Sequence, residues 1–162
     1  MAKESTSPTV SEPARMDIIR AVPELYRAMA ALSRTVAESG LERPLLELVR
    51  IRASQINGCA FCIDMHTADA REAGETEQRI YGLSAWRETP FFTARERAAL
   101  ALTEAVTLVA DTRVPDDVYE KAAKEFDEQE LAKLIWAISE INSWNRVTIS
   151  ARMVPGSHRP SR

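Results

Sequence analysis

Between Asp127 and Ala151 the chain sets Leu131, Leu134, Ile135, Ile138 and Ile141 at intervals of three and four. Asp127 and Glu130 stand ahead of them in the positions of a capping box. That pattern predicts one long helix with a single buried face. No segment elsewhere shows the apolar–polar alternation of a strand bounded by hairpin turns. Five glycines in 162 residues are also too few for a turn-rich β fold. The chain is therefore expected to be all-α, a single domain built from antiparallel helix pairs.

The remaining helices can be placed in order. A helical stretch begins near Asp17, and its main segment runs from Pro23 through Leu25, Met29, Leu32 and Val36 to a stop at Gly40. Pro44 opens a second helix to Asn57-Gly58, with Leu45, Leu48, Val49 and Ile56 on one buried face and Glu47, Ile51 and Ser54 beside it. A third starts at or just before Cys59 and ends by Gly74. A short helix over Thr76–Tyr81 leads into a looser passage to Pro90. Thr93 and Glu96 form a capping box ahead of Ala98, Ala99, Leu102, Val106 and Val109, and a shorter helix follows from Val114-Pro115 to Phe126. Residues 1–12 and 153–162 lack apolar period and read as flexible tails around a helical domain spanning 13–152.

Charge and composition narrow the function. The net charge of −3 offers no basic face for nucleic acid. No apolar run approaches the ~20 residues of a membrane span. The first residues, Met1-Ala2-Lys3-Glu4-Ser5-Thr6-Ser7-Pro8, lack the apolar core of a secretory signal. A cytoplasmic setting is expected, and there a lone Cys-x-x-Cys reads as redox or metal chemistry and not as a structural staple.

Both cysteines lie in Asn57-Gly58-Cys59-Ala60-Phe61-Cys62-Ile63-Asp64-Met65-His66. Cys59, Cys62 and His66 are spaced by three and four, so they share one side of a helix. A helix N-terminus favours thiolate over thiol, and His66 leans back toward Cys62 because helical side chains tilt toward the N-terminus. Glu47, from the preceding helix, would orient the imidazole. The set gives nucleophile, base and orienting carboxylate. Between the two sulfurs, Cys62 is the expected attacker, since a positioned base outweighs a dipole effect of ~0.3–1 kcal/mol. Zinc is the rival: Cys59, Cys62, His66 and Glu47 could supply four ligands, but structural zinc sites draw a second ligand pair from elsewhere and no further cysteine exists. No metal and no cofactor are therefore expected. Trp136 and Trp144 read as packing or subunit-contact residues, Asn142 and Asn145 as buried hydrogen-bonding groups, and His158 as idle.

The pattern Glu47…Cys59-x-x-Cys62-x-x-x-His66, with Ile141-Asn142-Ser143-Trp144-Asn145-Arg146 near the end, resembles the alkylhydroperoxidase D-like proteins of the carboxymuconolactone decarboxylase superfamily over about Pro23 to Ala151. The resemblance implies an all-helical peroxidase or disulfide reductase. It implies Cys62 as attacking thiolate, Cys59 as disulfide partner, and Glu47 and His66 as proton relay. It also implies assembly as a dimer, trimer or hexamer, and recycling by a thiol or dithiol donor such as a lipoyl-bearing protein. The chain departs at Phe61, where the best-known members carry a histidine, so the relay is shorter. Two other readings are a helical oligomer that senses oxidants without turnover, and a decarboxylase-type enzyme.

Overall fold

The structure, a computed structural model, describes residues 13–156 and 158. Among them the helices are α1 (Ile18–Ala21), α2 (Pro23–Ala37), α3 (Arg43–Asn57), α4 (Ala60–Glu72), α5 (Glu77–Gly82), α6 (Ala94–Thr107), α7 (Val109–Thr112), α8 (Asp116–Glu125) and α9 (Glu128–Ala151). A 3-10 segment, Leu83–Glu88, joins α5 to the α6 approach, and no strand occurs among the described residues. The all-α expectation holds. The expected 1–12 tail lies outside the described residues.

Helix α3 is the axis of the molecule. Leu45, Leu46, Glu47, Leu48, Val49, Arg50 and Ile51 are all buried, so it is covered on nearly every side. It packs on α4, α6 and α9. One core cluster joins Leu45, Leu46 and Val49 to Leu102, Leu134 and Ile138. A second joins Leu48 and Ile51 to Leu83, Trp86 and Leu100. Fully burying side chains of this kind stabilises by roughly 1.5–3 kcal/mol each. Buried amides tie α3 to α9: Asn57 Nδ2 donates to Oδ1 of Asn142 (2.9 Å) and of Asn145 (2.8 Å), and Asn145 Nδ2 donates to Ser54 Oγ (3.0 Å).

The α6 and α9 capping boxes are present in both halves. The structure differs from the sequence reading at Val109, at Ile56 and in the segment after α9. Val109 lies past the end of α6 on α7 and is exposed, because the chain turns at Leu108. Ile56 is only half-buried, at the end of α3 where neighbouring helices no longer cover it. Leu25 on α2 is 64% exposed, while its neighbour Tyr26 meets Trp144 of α9 edge-on, ring centroids 5.8 Å apart. The segment after α9 is partly docked: the Gly156 N–H donates to Asp64 Oδ2 (2.8 Å), and His158 Nε2 sits 2.7 Å from Asp69 Oδ1. His158 is therefore bonded and not idle.

Candidate functional site

The site begins at a helix end. Gly58 has φ 71°, a left-handed conformation that glycine adopts without steric cost. Its N–H bonds Gln55 O and the Cys59 N–H bonds Ser54 O, the paired bonds of a Schellman stop. The reversal delivers Cys59 to the N-cap of α4, where its Sγ accepts the Cys62 N–H at 3.3 Å. The α3–α4 hairpin thereby brings the two sulfurs within 2.6 Å. Both cysteines are free thiols and only 1% exposed. Closing a bond of about 2.05 Å needs only a small shift.

Thr148 of α9 completes this half of the site. Its Oγ1 lies 3.0 Å from Cys59 Sγ and 3.4 Å from Cys62 Sγ. Ala53, Ile141, Phe61 and Trp144 pack around the sulfurs. The contact with the Cys62 thiol lowers the Cys59 pKa; burial opposes it, and the Thr148 hydroxyl and the Cys62 N–H lower it further, to about 6. The same contact, together with burial, pushes the Cys62 thiol up. The Cys62 N–H and the nearer Thr148 hydroxyl both favour negative charge on Cys59, the N-cap residue.

The second half of the site is a buried ion-pair chain. Glu47, 4% exposed, places Oε2 2.9 Å from His66 Nδ1, while its Oε1 accepts from Arg50 at 3.0 Å. Burial pushes the Glu47 carboxyl up, but the hydrogen bond and charge of His66 and the Arg50 guanidinium outweigh it and hold the group below its ordinary range. An ionised carboxylate only accepts, so Nδ1 of His66 carries hydrogen and Nε2 is left as the exchange position. Arg50 Nε lies 3.8 Å from Glu140 Oε2, and the Ser33 hydroxyl donates to Glu140 Oε1 while accepting from Trp144 Nε1 at 2.8 Å.

The structure brings the predicted residues together as two pairs. Cys59 meets Cys62, and His66 meets Glu47, with both pairs buried along α4. Among the described residues His66 bonds Glu47 and forms no hydrogen bond to either sulfur. Glu47, His66 and Asp69 each bring a ligand-type atom within 4.8 Å of the others, and this is the group that could hold a cation. The sulfurs are not part of it, and Arg50 already pairs with Glu47, so the four-ligand zinc set of Cys59, Cys62, His66 and Glu47 is not assembled. Thr148, Arg50 and Glu140 escaped the sequence reading. Each has ordinary helix spacing, and only the crossing of α3, α4 and α9 gives it a role.

A cavity of about 330 Å³ opens beside the sulfurs, with Cys59, Thr148, Phe61 and Met153 in its wall.

Comparison with known proteins follows the same lines. Residues 23–105 match the carboxymuconolactone decarboxylase family model. The chain is 46% identical over 136 residues to the uncharacterized protein YdfG of Bacillus subtilis, covering 84% of this chain and 92% of that one. A crystal structure of ATU0492 from Agrobacterium tumefaciens superimposes with a TM-score of 0.88 at 42% identity, covering 90% of this chain and all of that one. ATU0492 is a protein of unknown function, provisionally described as an antioxidant defence protein AhpD. A shorter match, 37% identity over 57 residues, covers 34% of this chain and 32% of the alkyl hydroperoxide reductase AhpD of Hyphomonas neptunium. The fold, the paired cysteines and these likenesses agree: the chain belongs to the carboxymuconolactone decarboxylase family, as an alkylhydroperoxidase D-like member.

Proposed function

We propose that the protein is a thiol-dependent hydroperoxide reductase that cycles Cys59 and Cys62 between dithiol and disulfide. The observation that carries this reading is the contact of two buried free sulfurs at a helix start, with negative charge drawn onto one of them. In the reading, the Cys59 thiolate attacks the terminal oxygen of a hydroperoxide. The O–O bond breaks, an S–O bond forms, and the alkoxide takes a proton to leave as alcohol. Cys62 then attacks the Cys59 sulfenic acid, and its oxygen leaves as water as the disulfide closes. Hydroperoxide plus two thiols thus gives alcohol, water and one disulfide. His66, held by Glu47, offers Nε2 one turn from Cys62 as the place where protons are exchanged.

This order of roles reverses the one the resemblance implies, where Cys62 attacks. The reversal rests on the N-cap bond and the nearer Thr148 hydroxyl, both of which favour charge on Cys59. A thiol or dithiol donor, such as a lipoyl-bearing protein, restores the pair. The need for reduction fits a reducing compartment such as the cytoplasm.

The test is peroxide consumption with a dithiol donor present. Wild type should turn over, and Cys59→Ser and Cys62→Ser should not. A sensor would close its disulfide once and then stop. A decarboxylase-type activity would persist with both cysteines replaced. Full peroxide turnover in Cys59→Ser would remove the mechanism.

A further inference from the structure

Closing the disulfide requires a proton to move. The sulfenic acid on Cys59 has to lose its oxygen as water, and the Cys62 thiol has to give up hydrogen as its sulfur attacks. Cys62 is 1% exposed, and the cavity beside the sulfurs has Cys59 and Thr148 in its wall but not Cys62. Burial and the Cys59 contact push the Cys62 thiol up, so it enters this step protonated. His66 stands one turn along α4 with Nδ1 on Glu47, and it is not bonded to either sulfur among the described residues.

One group touches both sulfurs. Thr148 Oγ1, on a residue 4% exposed, lies 3.0 Å from Cys59 Sγ and 3.4 Å from Cys62 Sγ. A hydroxyl has one hydrogen to give and two lone pairs with which to receive. Here the hydrogen can rest on the α9 backbone, since Oγ1 donates to Trp144 O, one turn back, at 2.9 Å. That leaves lone pairs to accept from the thiols, and a turn about the Cβ–Oγ1 bond re-aims the hydrogen at Cys59. The Asn145 amide also favours charge on both sulfurs, but an amide N–H does not pass its hydrogen on. Among the described residues no other side-chain hydroxyl is bonded to either sulfur.

We propose that the Thr148 hydroxyl carries the proton of the disulfide-closing step, taking it from the Cys62 thiol while giving its own to the oxygen that leaves Cys59. This rests on the thiol-peroxidase reading above. The Cys62 sulfur supplies the electron pair of the new S–S bond and is oxidised. The S–O pair departs with the oxygen, so the sulfenic sulfur of Cys59 is reduced. That oxygen gains the Thr148 hydrogen and leaves as water, on the cavity side where Cys59 and Thr148 stand. Thr148 ends the step as a hydroxyl again, holding the hydrogen that Cys62 gave up.

The experiment mixes the fully reduced, full-length protein with one equivalent of hydrogen peroxide or tert-butyl hydroperoxide and quenches with dimedone at intervals. Mass spectra then count sulfenic acid on Cys59 against disulfide. Closure is read as decay of sulfenic acid already formed, so neither a slower first step nor a smaller folded fraction alters it. In wild type, closure should follow attack closely and sulfenic acid should stay a minor species. Thr148→Val keeps the shape without the hydroxyl, and its closure should be slower by about a hundredfold, the low end for a positioned acid–base group. Closure in that variant should also climb with pH, since hydroxide must then remove the Cys62 proton, while wild type stays level around neutral pH. Thr148→Ser restores the hydroxyl and should close within a few fold of wild type. Closure in Thr148→Val at the wild-type rate would overturn the inference while leaving the thiol reading intact. So would a Thr148→Ser variant as slow as Thr148→Val, or slow closure in Thr148→Val that ignores pH, because either marks displaced sulfurs and not a missing proton carrier. Sulfenic acid found on Cys62 in wild type would reverse the order of attack and remove the inference as well. Thiols that persist with both hydroperoxides would overturn the thiol reading itself, and this inference with it.

Discussion

At the scale of single residues, the account turns on where charge sits between two touching sulfurs. With its pKa near 6, Cys59 is mostly thiolate at neutral pH, whereas an ordinary thiol near 9.0 is not. Alkylation by iodoacetamide should therefore rise as pH passes through about 6 and level off by neutral pH. Stopped-flow alkylation of the reduced protein reads this directly, and a curve still climbing above pH 8 would place the charge elsewhere. Thr148→Val keeps the shape and removes the hydroxyl, so it should move that midpoint upward. Glu47 obeys the same logic with a different window. Its carboxyl is depressed below 4.5, so the stability it contributes is complete above that value and is lost as pH falls below it. Breaking a buried pair on one side costs about 3–5 kcal/mol. Glu47→Gln should thus be weaker at neutral pH by roughly that amount and lose less on acidification, as urea midpoints at pH 7 and pH 3.5 would show. The burial of Glu47 could be anticipated from its apolar neighbours. Arg50 could not, because an arginine amid a helix looks solvated until Glu47 and Glu140 are seen on either side of it.

At the scale of elements, the α3–α4 hairpin is what makes a reactive pair out of a Cys-x-x-Cys sequence. Gly58 stops α3, Cys59 caps α4, and the cap itself is a sulfur bond to the Cys62 N–H. A Cβ at position 58 would meet nothing within 4 Å, so the difficulty with Gly58→Ala is the backbone alone. The left-handed conformation should cost roughly 1–2 kcal/mol. The variant should lower the thermal midpoint and weaken the Cys59 thiolate, visible as a shifted alkylation curve. Hairpin, caps and the α9 period are local signals, and the sequence carried them in Asn57-Gly58, Thr93/Glu96 and Asp127/Glu130. Val109 and Ile56 went the other way. Spacing says which side a residue lies on, but not whether another helix arrives to cover it. Thr148 was invisible for the same reason, since its partners sit 86 and 89 residues away.

At the scale of the whole molecule, α3 is buried around nearly its full circumference while α2 leaves much of its apolar side uncovered. Leu25 is 64% exposed and Trp136 on α9 is 62% exposed. Large apolar side chains left open in this way commonly mark association surfaces. We propose that copies of the chain associate through them, as the resemblance implied. Light scattering should then give a multiple of 18.1 kDa, and Leu25→Glu or Trp136→Glu should lower it. A monomer mass at every concentration would contradict this. The described part of the molecule holds no helix long and apolar enough to cross a membrane.

The central claim, that Cys59 and Cys62 are one reacting centre with Cys59 as attacker, is most directly tested by thiol counts and mass spectra before and after one equivalent of hydroperoxide. Wild type should pass from two free thiols to an internal disulfide, and Cys62→Ser should trap a sulfenic acid on Cys59. Two thiols surviving in wild type, or a sulfenic acid formed on Cys62 in Cys59→Ser at the wild-type rate, would contradict the account.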